Sequence, residues 1–425
     1  MNEYLGTVTG KVVRHAMRLR KKSGGQAVPG LIIEHLVPNY LALMLRKLPE
    51  GVVIITGTNG KTTTTKMVVE LLRAEGKRVL TNPTGSNMTR GLMASTAQQA
   101  SWKSTLPFDI AVFEVDEAYA AKIAEQVQPR YVLGLNVSRD QLDRFGEVDA
   151  VARLIGDAMQ YVSEGIVVNA NDPRLRTIAE HTTNKHGVAL HYFSVAPSLR
   201  HYFPNDLEIV STQHTKNEQK DTFKPLVELA NFKDKQAAYT IAGKTYQTDL
   251  QLVGQHNFQN AAAALALVQC LLPQTPAAQL VAHLADITPP FGRGEIFTLA
   301  NDSTLQLILV KNPAGFRQAL ADPPKTATMI VINDNIPDGR DISWLWDVDF
   351  DQLAVPGVAI TSGIRAADMA LRLWYDQVAV KIVEPDIDKA LTTFCDIPGD
   401  KTLFASYTAM LYIHAKLAKQ TGSAS

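Results

Sequence analysis

Short apolar runs alternate along the chain with longer stretches whose apolar residues recur at helical spacing. Residues 52–55, 78–81, 109–115, 131–137 and 165–168 are rich in Val, Ile and Leu and too short for helices; four of these runs lead straight into polar residues. After the first of them, Met67, Val68, Leu71 and Leu72 make an apolar helical stripe, and Gly76 supplies a C-cap. Apolar strands separated by helices are the pattern of a parallel, doubly wound sheet, whose ligands collect at the carboxyl ends of its strands. Residues 195–250 break that pattern. They are polar and aromatic-rich, with short alternating segments at 238–241 and 245–248, and read as antiparallel strands and loops inserted in or flanking the sheet. An Ala-rich helix follows over 261–272, and Pro289-Pro290-Phe291-Gly292-Arg293-Gly294 reads as an interdomain linker. Beyond it, strands at 305–310, 328–332, 357–360, 378–383 and 402–405 alternate with helices that include 365–375 and 408–418. The expectation is an α/β chain of two domains. Residues 1–288 form the first, with a basic N-terminal segment and an inserted subdomain at about 190–250; residues 289–425 form a smaller, Rossmann-like one.

Composition and charge narrow the classes. The formal net charge is zero, so the chain as a whole has no electrostatic footprint for nucleic acid. Its two cysteines, Cys270 and Cys395, stand far apart, which argues against a zinc cluster and against a disulfide framework. No run of about 18 apolar residues occurs, and a cytoplasmic protein is expected. Residues 1–25 are locally basic, with six Lys or Arg against Glu3. Leu5, Val8, Val12 and His15 fall near helical spacing there. The segment reads first as a solvated helix face and second as a surface for anionic lipid headgroups.

Candidate chemistry begins where the strand 52–55 stops. Gly57-Thr58-Asn59-Gly60-Lys61-Thr62-Thr63 is a glycine-bracketed turn leading into a helix. Such a turn aims backbone N–H groups at an oxyanion; Lys61 adds a full charge, and Thr62 a hydroxyl for a phosphate-bound Mg²⁺. Only Thr58 and Asn59 separate the two glycines, fewer than the four residues of the full G-x-x-x-x-G-K-[ST] pattern. Glu114, at the end of its strand, is the candidate second Mg²⁺ ligand, with Asp116, Glu117 and Asp140 behind it. Carboxylates at strand ends also cap helices or pair with cations. Neither cysteine makes a good nucleophile: Cys270 lies on an apolar helix, and Cys395 is beside Asp396, whose charge raises a thiol pKa.

Four signatures in order, the turn at 57–63, Glu114, Asn169-x-x-Asp172-Pro173 and Gly254-x-His256-Asn257-x-x-Asn260-x-x-Ala263-Ala264, resemble the nucleotide site of the Mur ligase family. The resemblance implies a P-loop ATPase domain that phosphorylates a carboxylate with ATP before an amine attacks the acyl phosphate. It also implies roles. Gly57, Thr58, Asn59, Gly60, Lys61, Thr62 and Thr63 would hold phosphate; Thr62 and Glu114 would hold Mg²⁺. Asn169, Asp172, His256, Asn257 and Asn260 would line the nucleotide pocket, and Arg293 would reach ATP from the linker on closure. Two features depart from the family's usual pattern. The loop starts near residue 57, leaving no room for a UDP-sugar-binding domain before it, and Asp140-Gln141-Leu142-Asp143 replaces Asp-His-Leu-Asp.

The C-terminal half is similar to one branch of that family, the synthetase subunits that amidate lipid II beside a separate glutaminase. Lys311-Asn312-Pro313-Ala314-Gly315-Phe316, Asn333-Asp334-Asn335-x-x-Asp338-Gly339-x-Asp341-x-Ser343-Trp344 and Ser362-Gly363-x-Arg365-x-x-Asp368-Met369-Ala370 carry the likeness. It implies ATP activation of the D-glutamate α-carboxylate in the lipid II stem peptide, at the inner membrane face. Ammonia from a GatD-like glutamine amidotransferase would then give D-isoglutamine. This branch lends an aspartate to its partner's Cys-His pair; Asp341 is the first candidate and Asp338 the second, either being equally an Asx-turn residue beside Gly339. Trp344 and Trp346 are interface anchors or core. Many relatives carry a four-cysteine zinc ribbon in the middle domain; residues 190–250 have no cysteine, so no zinc is expected. The alternatives are a folylpolyglutamate-type ligase that uses an amino acid as the amine, and a nucleotide-binding scaffold that activates a glutaminase without chemistry of its own.

Overall fold

A computed structural model describes residues 2–19, 28–82, 86–138, 148–203, 223–252, 254–289, 293–320 and 327–421. The chain divides into two compact units: one of residues 1–137, 148–250 and 257–287, the other of 138–147, 251–256 and 288–425.

The first unit opens with three helices, α1 (Asn2–Leu19), α2 (Val28–Leu36) and α3 (Tyr40–Leu45). Strand β1 (Val52–Thr56) follows, then α4 (Lys61–Ala74), β2 (Val79–Thr81), α5 (Thr89–Gln99), β3 (Ile110–Glu114), α6 (Glu117–Val127) and β4 (Tyr131–Gly134). Next come α7 (Val148–Met159), β5 (Gly165–Asn169), α8 (Pro173–His186), β6 (Ala189–Val195), β7 (Val227–Lys233), β8 (Gln236–Ile241) and β9 (Lys244–Asp249). The unit ends with α9 (His256–Leu271), all but the first residue of which belongs to it, and α10 (Ala277–His283). All nine strands join one sheet in the order β2-β3-β1-β4-β5-β6-β7-β8-β9. It is parallel as far as β7, and β8 and β9 add antiparallel.

Every residue of β1, β3, β4 and β5 is buried, as their unbroken apolar runs require. The segment at 190–250 is therefore not a separate layer, for its strands carry the main sheet onward to one edge. Their alternating burial, as in β7, marks strands covered on one face only. Helix α9 begins five residues before the Ala-rich run, at His256. It is apolar nearly all round, and Ala261 through Val268 are buried, as a central helix should be.

The second unit holds β10 (Arg293–Thr298), β11 (Thr304–Leu309), α11 (Pro313–Leu320), β12 (Ala327–Val331), β13 (Val358–Ser362), α12 (Ala366–Tyr375), β14 (Val380–Glu384), α13 (Ile387–Asp396), β15 (Lys401–Ala405) and α14 (Tyr407–Thr421). Its sheet runs β10-β11-β15-β12-β13-β14, parallel except for the β10/β11 pair. Alternate residues feed its two faces. Met329, Val331 and Leu403 pack with Phe394, Ile413 and Leu417, while Ile330, Ile332 and Phe404 pack with Phe316, Trp344 and Met369. The linker expected at 289–294 is corrected at its end. Arg293 is the first residue of β10, paired with Ile308, because a strand continuing the sheet satisfies its backbone groups.

Candidate active site

Register places the chemistry. Ile55 pairs with Glu114 and Thr56 with Gly134, so the turn after β1 lies between the ends of β3 and β4. Gly57 and Gly60 have φ of +135° and +85°, in the left-handed region that glycine adopts without strain. Space requires them as well. A Cβ on Gly60 would lie 2.4 Å from Asn260 Oδ1, and one on Gly57 3.0 Å from the Asn136 nitrogen.

Asn136, just past β4, clamps this turn. Its carbonyl accepts from the Thr58 N–H at 3.0 Å. Its side-chain oxygen accepts from the Asn59 N–H at 2.9 Å, and its amide donates to the Asn59 carbonyl at 3.0 Å. Asp172, in the turn after β5, braces the clamp. It N-caps α8 through the Arg174 and Leu175 N–H groups and accepts the Val137 N–H at 2.7 Å, with Pro173 fixing the first turn. Burial pushes its carboxyl above the usual range, against these donors. Asn169 holds the same corner by accepting from the Asn171 N–H.

Lys61 is the first residue of α4 and almost fully buried, with Thr62 and Thr63 buried beside it. Its ammonium donates to the Gly57 carbonyl at 2.6 Å, to Glu117 Oε1 at 2.8 Å and to the Thr58 carbonyl at 3.3 Å. Burial disfavours its charge, but the carboxylates of Glu117, Glu114 and Asp116 outweigh that and hold its pKa above the ordinary value. All three are themselves buried. Glu114 is anchored through its backbone: Asn82 accepts from its N–H and donates to its carbonyl, both at 3.0 Å, while Asn87 approaches its Oε1 at 3.5 Å. Asp116 N-caps α6.

Three carboxylates around one ammonium leave surplus negative charge in a buried place. With the Thr62 hydroxyl nearby, the oxygen donors suit a hard divalent cation. Asn260 adjoins Gly60 and donates to Asn257 at 3.2 Å, so that pair stands against the turn. His256 opens α9 over Gly254, where a Cβ would lie 2.5 Å from its ring. The side chain of Arg293 and all of 140–143 lie outside the described residues.

The C-terminal motifs also converge, at the carboxyl ends of β12 and β13. Asn333 accepts from the Ile364 N–H and donates to Thr408 at α14, while Arg365 pairs with Asp334 at 2.5 Å. Asp338 is buried, and both its oxygens are engaged. It accepts from the Thr408 N–H at 2.7 Å, the Thr408 hydroxyl at 2.6 Å and the Asn335 N–H at 3.1 Å. Asp341 is half-buried and accepts from the Ser343 N–H at 2.8 Å through Oδ1. The two tryptophans separate: Trp344 is core, and Trp346 is half exposed, packing edge-on to Tyr375 beside the more exposed Trp374. Both thiols are held protonated. Burial pushes Cys270 up to about 12, and burial, then Asp396, raises Cys395 against the opposing Lys401.

The family model for the Mur ligase middle domain matches residues 55–268, and that for the MurT ligase C-terminal domain matches 309–410. The lipid II isoglutaminyl synthase (glutamine-hydrolysing) subunit MurT of Staphylococcus aureus (strain COL) is 30% identical over 439 residues, covering 96% of each chain. The chain belongs to the MurT branch of the Mur ligase family. A second relative, from Streptococcus pneumoniae, bears the same subunit name and is 29% identical over 95% of this chain and 94% of its own length. The fold matches the MurF ligase of Thermotoga maritima solved with ADP: TM-score 0.67 at 16% identity, over 92% of this chain and 84% of the other.

Sequence reasoning about this MurT-family chain missed Asn82, Asn87 and Asn136. It set Glu117 behind Glu114 as a metal ligand, whereas Glu117 is the ion-pair partner of Lys61. The polar strand end at Asn136 was the available signal. Among the described residues, no helix is long and apolar enough to cross a membrane.

Proposed function

We propose that this chain is the synthetase subunit of a glutamine-hydrolysing lipid II isoglutaminyl synthase. What carries the reading is a glycine-bracketed turn with a buried lysine at the head of its helix, in a chain related over 96% of its length to a subunit of that name. The turn's N–H groups and Lys61 hold the triphosphate of ATP. The Thr62 hydroxyl and the Glu114 carboxylate hold Mg²⁺, which neutralises phosphate charge when bound. Asn257, Asn260 and His256 shape the nucleotide side of the site. Asp172 acts on it by bracing the segment that carries the Asn136 clamp, and Asn169 and Arg293 are further residues proposed for the nucleotide pocket.

The D-glutamate α-carboxylate of the lipid II stem peptide attacks the terminal phosphorus, and ADP leaves. Ammonia adds to the acyl carbon of the resulting acyl phosphate, and inorganic phosphate departs as the amide forms. Ammonia must arrive unprotonated, because ammonium has no lone pair with which to attack. Neither thiol of this chain is poised to release it from glutamine, since burial keeps both protonated. A GatD-like glutaminase subunit therefore supplies it. Asp341 is the residue offered to that partner's histidine; Asp338 is consumed by its own turn. The exposed Trp346, Trp374 and Tyr375 give this unit an aromatic surface of the kind that anchors a protein partner. The test is mass spectrometry of lipid II incubated with the chain, its glutaminase, ATP and glutamine. Conversion of one carboxyl to an amide with equimolar ADP supports the reading, and glutamate incorporation in its place would overturn it.

A further inference from the structure

Helix α1 is built inside out. Small residues make its contacts with the rest of the unit. A Cβ on Gly6 would lie 2.5 Å from the Tyr40 ring, and one on Gly10 2.8 Å from Ile33 and 2.9 Å from Ala97. Thr7, between them, is fully buried and hydrogen-bonds the Tyr40 hydroxyl. Three of its large apolar residues point the other way, while Val8, Val13 and Met17 are half-buried. Tyr4, Leu5 and Val12 are 55%, 49% and 54% exposed and share one arc of the helix. A helix that merely covers a core shows the opposite pattern. Along one flank of this stripe runs a groove of about 540 Å³ lined by Lys11, Arg14, His15, Gln98 and Trp102. Trp102 is 60% exposed, with the Lys11 ammonium 5.4 Å from its ring centre. Lys11 is fixed there by donating to the Gln98 carbonyl.

We infer that α1 and Trp102 form a docking surface for an anionic lipid bilayer. An exposed apolar stripe flanked by cations, with Tyr and Trp at its margin, is the make-up of a helix that lies in a membrane interface. The sequence adds charge: six Lys or Arg stand against one acid in the first 25 residues of a chain whose net charge is zero, and Lys11 and Arg14 among them line the groove. The one acid, Glu3, is matched by Lys47 at 3.3 Å. Cations concentrated beside apolar side chains complement anionic headgroups over acyl chains. The inference stands apart from the chemistry above, because vesicle binding needs neither nucleotide nor glutamine.

The experiment is sedimentation of the full chain with phosphatidylglycerol or phosphatidylcholine vesicles at low and high salt. The expected result is binding to the anionic vesicles only, weakened by salt. The double variant Leu5→Glu/Val12→Glu should lose about tenfold or more of it, and Lys11→Gln/Arg14→Gln and Trp102→Ala part of it, with helix content and melting unchanged. Amidation of a water-soluble stem-peptide fragment should be untouched in all three variants. Failure to sediment with anionic vesicles would overturn the proposal, as would equal sedimentation of every variant. It would also fall if the double variant lost the glutaminase subunit while vesicle binding stayed absent throughout, since α1 would then be a protein interface.

Discussion

At the scale of single residues, the site is a contest over one ammonium. Lys61 is held by two carbonyls of its own turn and by Glu117, and in the function proposed here it exchanges those contacts for phosphate oxygens. Lys61→Ala removes the only full positive charge in that turn and should lower ADP release and amidation by about 10³-fold; turnover near wild type would refute its role. Asn136→Ala is subtler. It deletes the two side-chain bonds that shape the turn, so nucleotide affinity measured by calorimetry should fall about tenfold with little change in melting. These residues differed in legibility. Gly57, Gly60, Lys61 and Thr62 are readable because turn, charge and helix start are contiguous. The Asn136 clamp and the Glu117 pair join positions 77 and 56 residues apart, and nothing local records such a meeting.

At the scale of elements, periodicity was a good guide wherever burial was uniform. The apolar runs at 52–55, 109–115 and 165–168 became β1, β3 and β5, since a strand covered on both faces has no alternation to confuse the reading. It served less well at an edge. Strand β10 was missed, and its first two residues were read as linker, because a strand paired on one side, beginning at Arg293-Gly294, looks like a turn in sequence. A surface pair ties β2 to β3: Arg78 hydrogen-bonds Asp109 through its side chain and its own N–H, holding that carboxyl at about 2. A lowered carboxylate pKa stabilises the fold above the ordinary value of 3.8 and is lost as pH falls towards 2. In urea titrations from pH 5 to 2, Asp109→Asn should be the less stable protein at the upper end and converge with wild type at the lower. Parallel curves would mean that the pair contributes nothing.

At the scale of the molecule, the two reactions proposed for the assembly can be separated. Asp341→Asn should leave ammonia-driven amidation intact and cut the glutamine-driven reaction on the order of 10³-fold. Equal loss of both would remove Asp341 from the partner's triad. Asp338→Ala should behave differently, since it strips two bonds that join its turn to α14 and a third within the turn. It should lower the melting temperature and depress both reactions together. The sequence alone ranked Asp341 ahead of Asp338 within one Asp-Gly-x-Asp loop; that Asp338 is engaged by Thr408, far along the chain, is visible only in the fold.

The sequence by itself determined the family, the α/β class and the glycine-bracketed turn that ends at Lys61. Each rests on local pattern: apolar periodicity, glycine at a left-handed turn, and a lysine at a helix start. Tertiary structure alone decided which carboxylate pairs with Lys61, which aspartate is spent on a turn, and which face of α1 looks outward. Those are contacts between distant segments, and a face is inside or outside only by virtue of what packs on it. Helix α1 shows the difference plainly: its apolar stripe is written in the sequence, but the close approach of Gly6 and Gly10 to Tyr40, Ile33 and Ala97 turns that stripe away from the core.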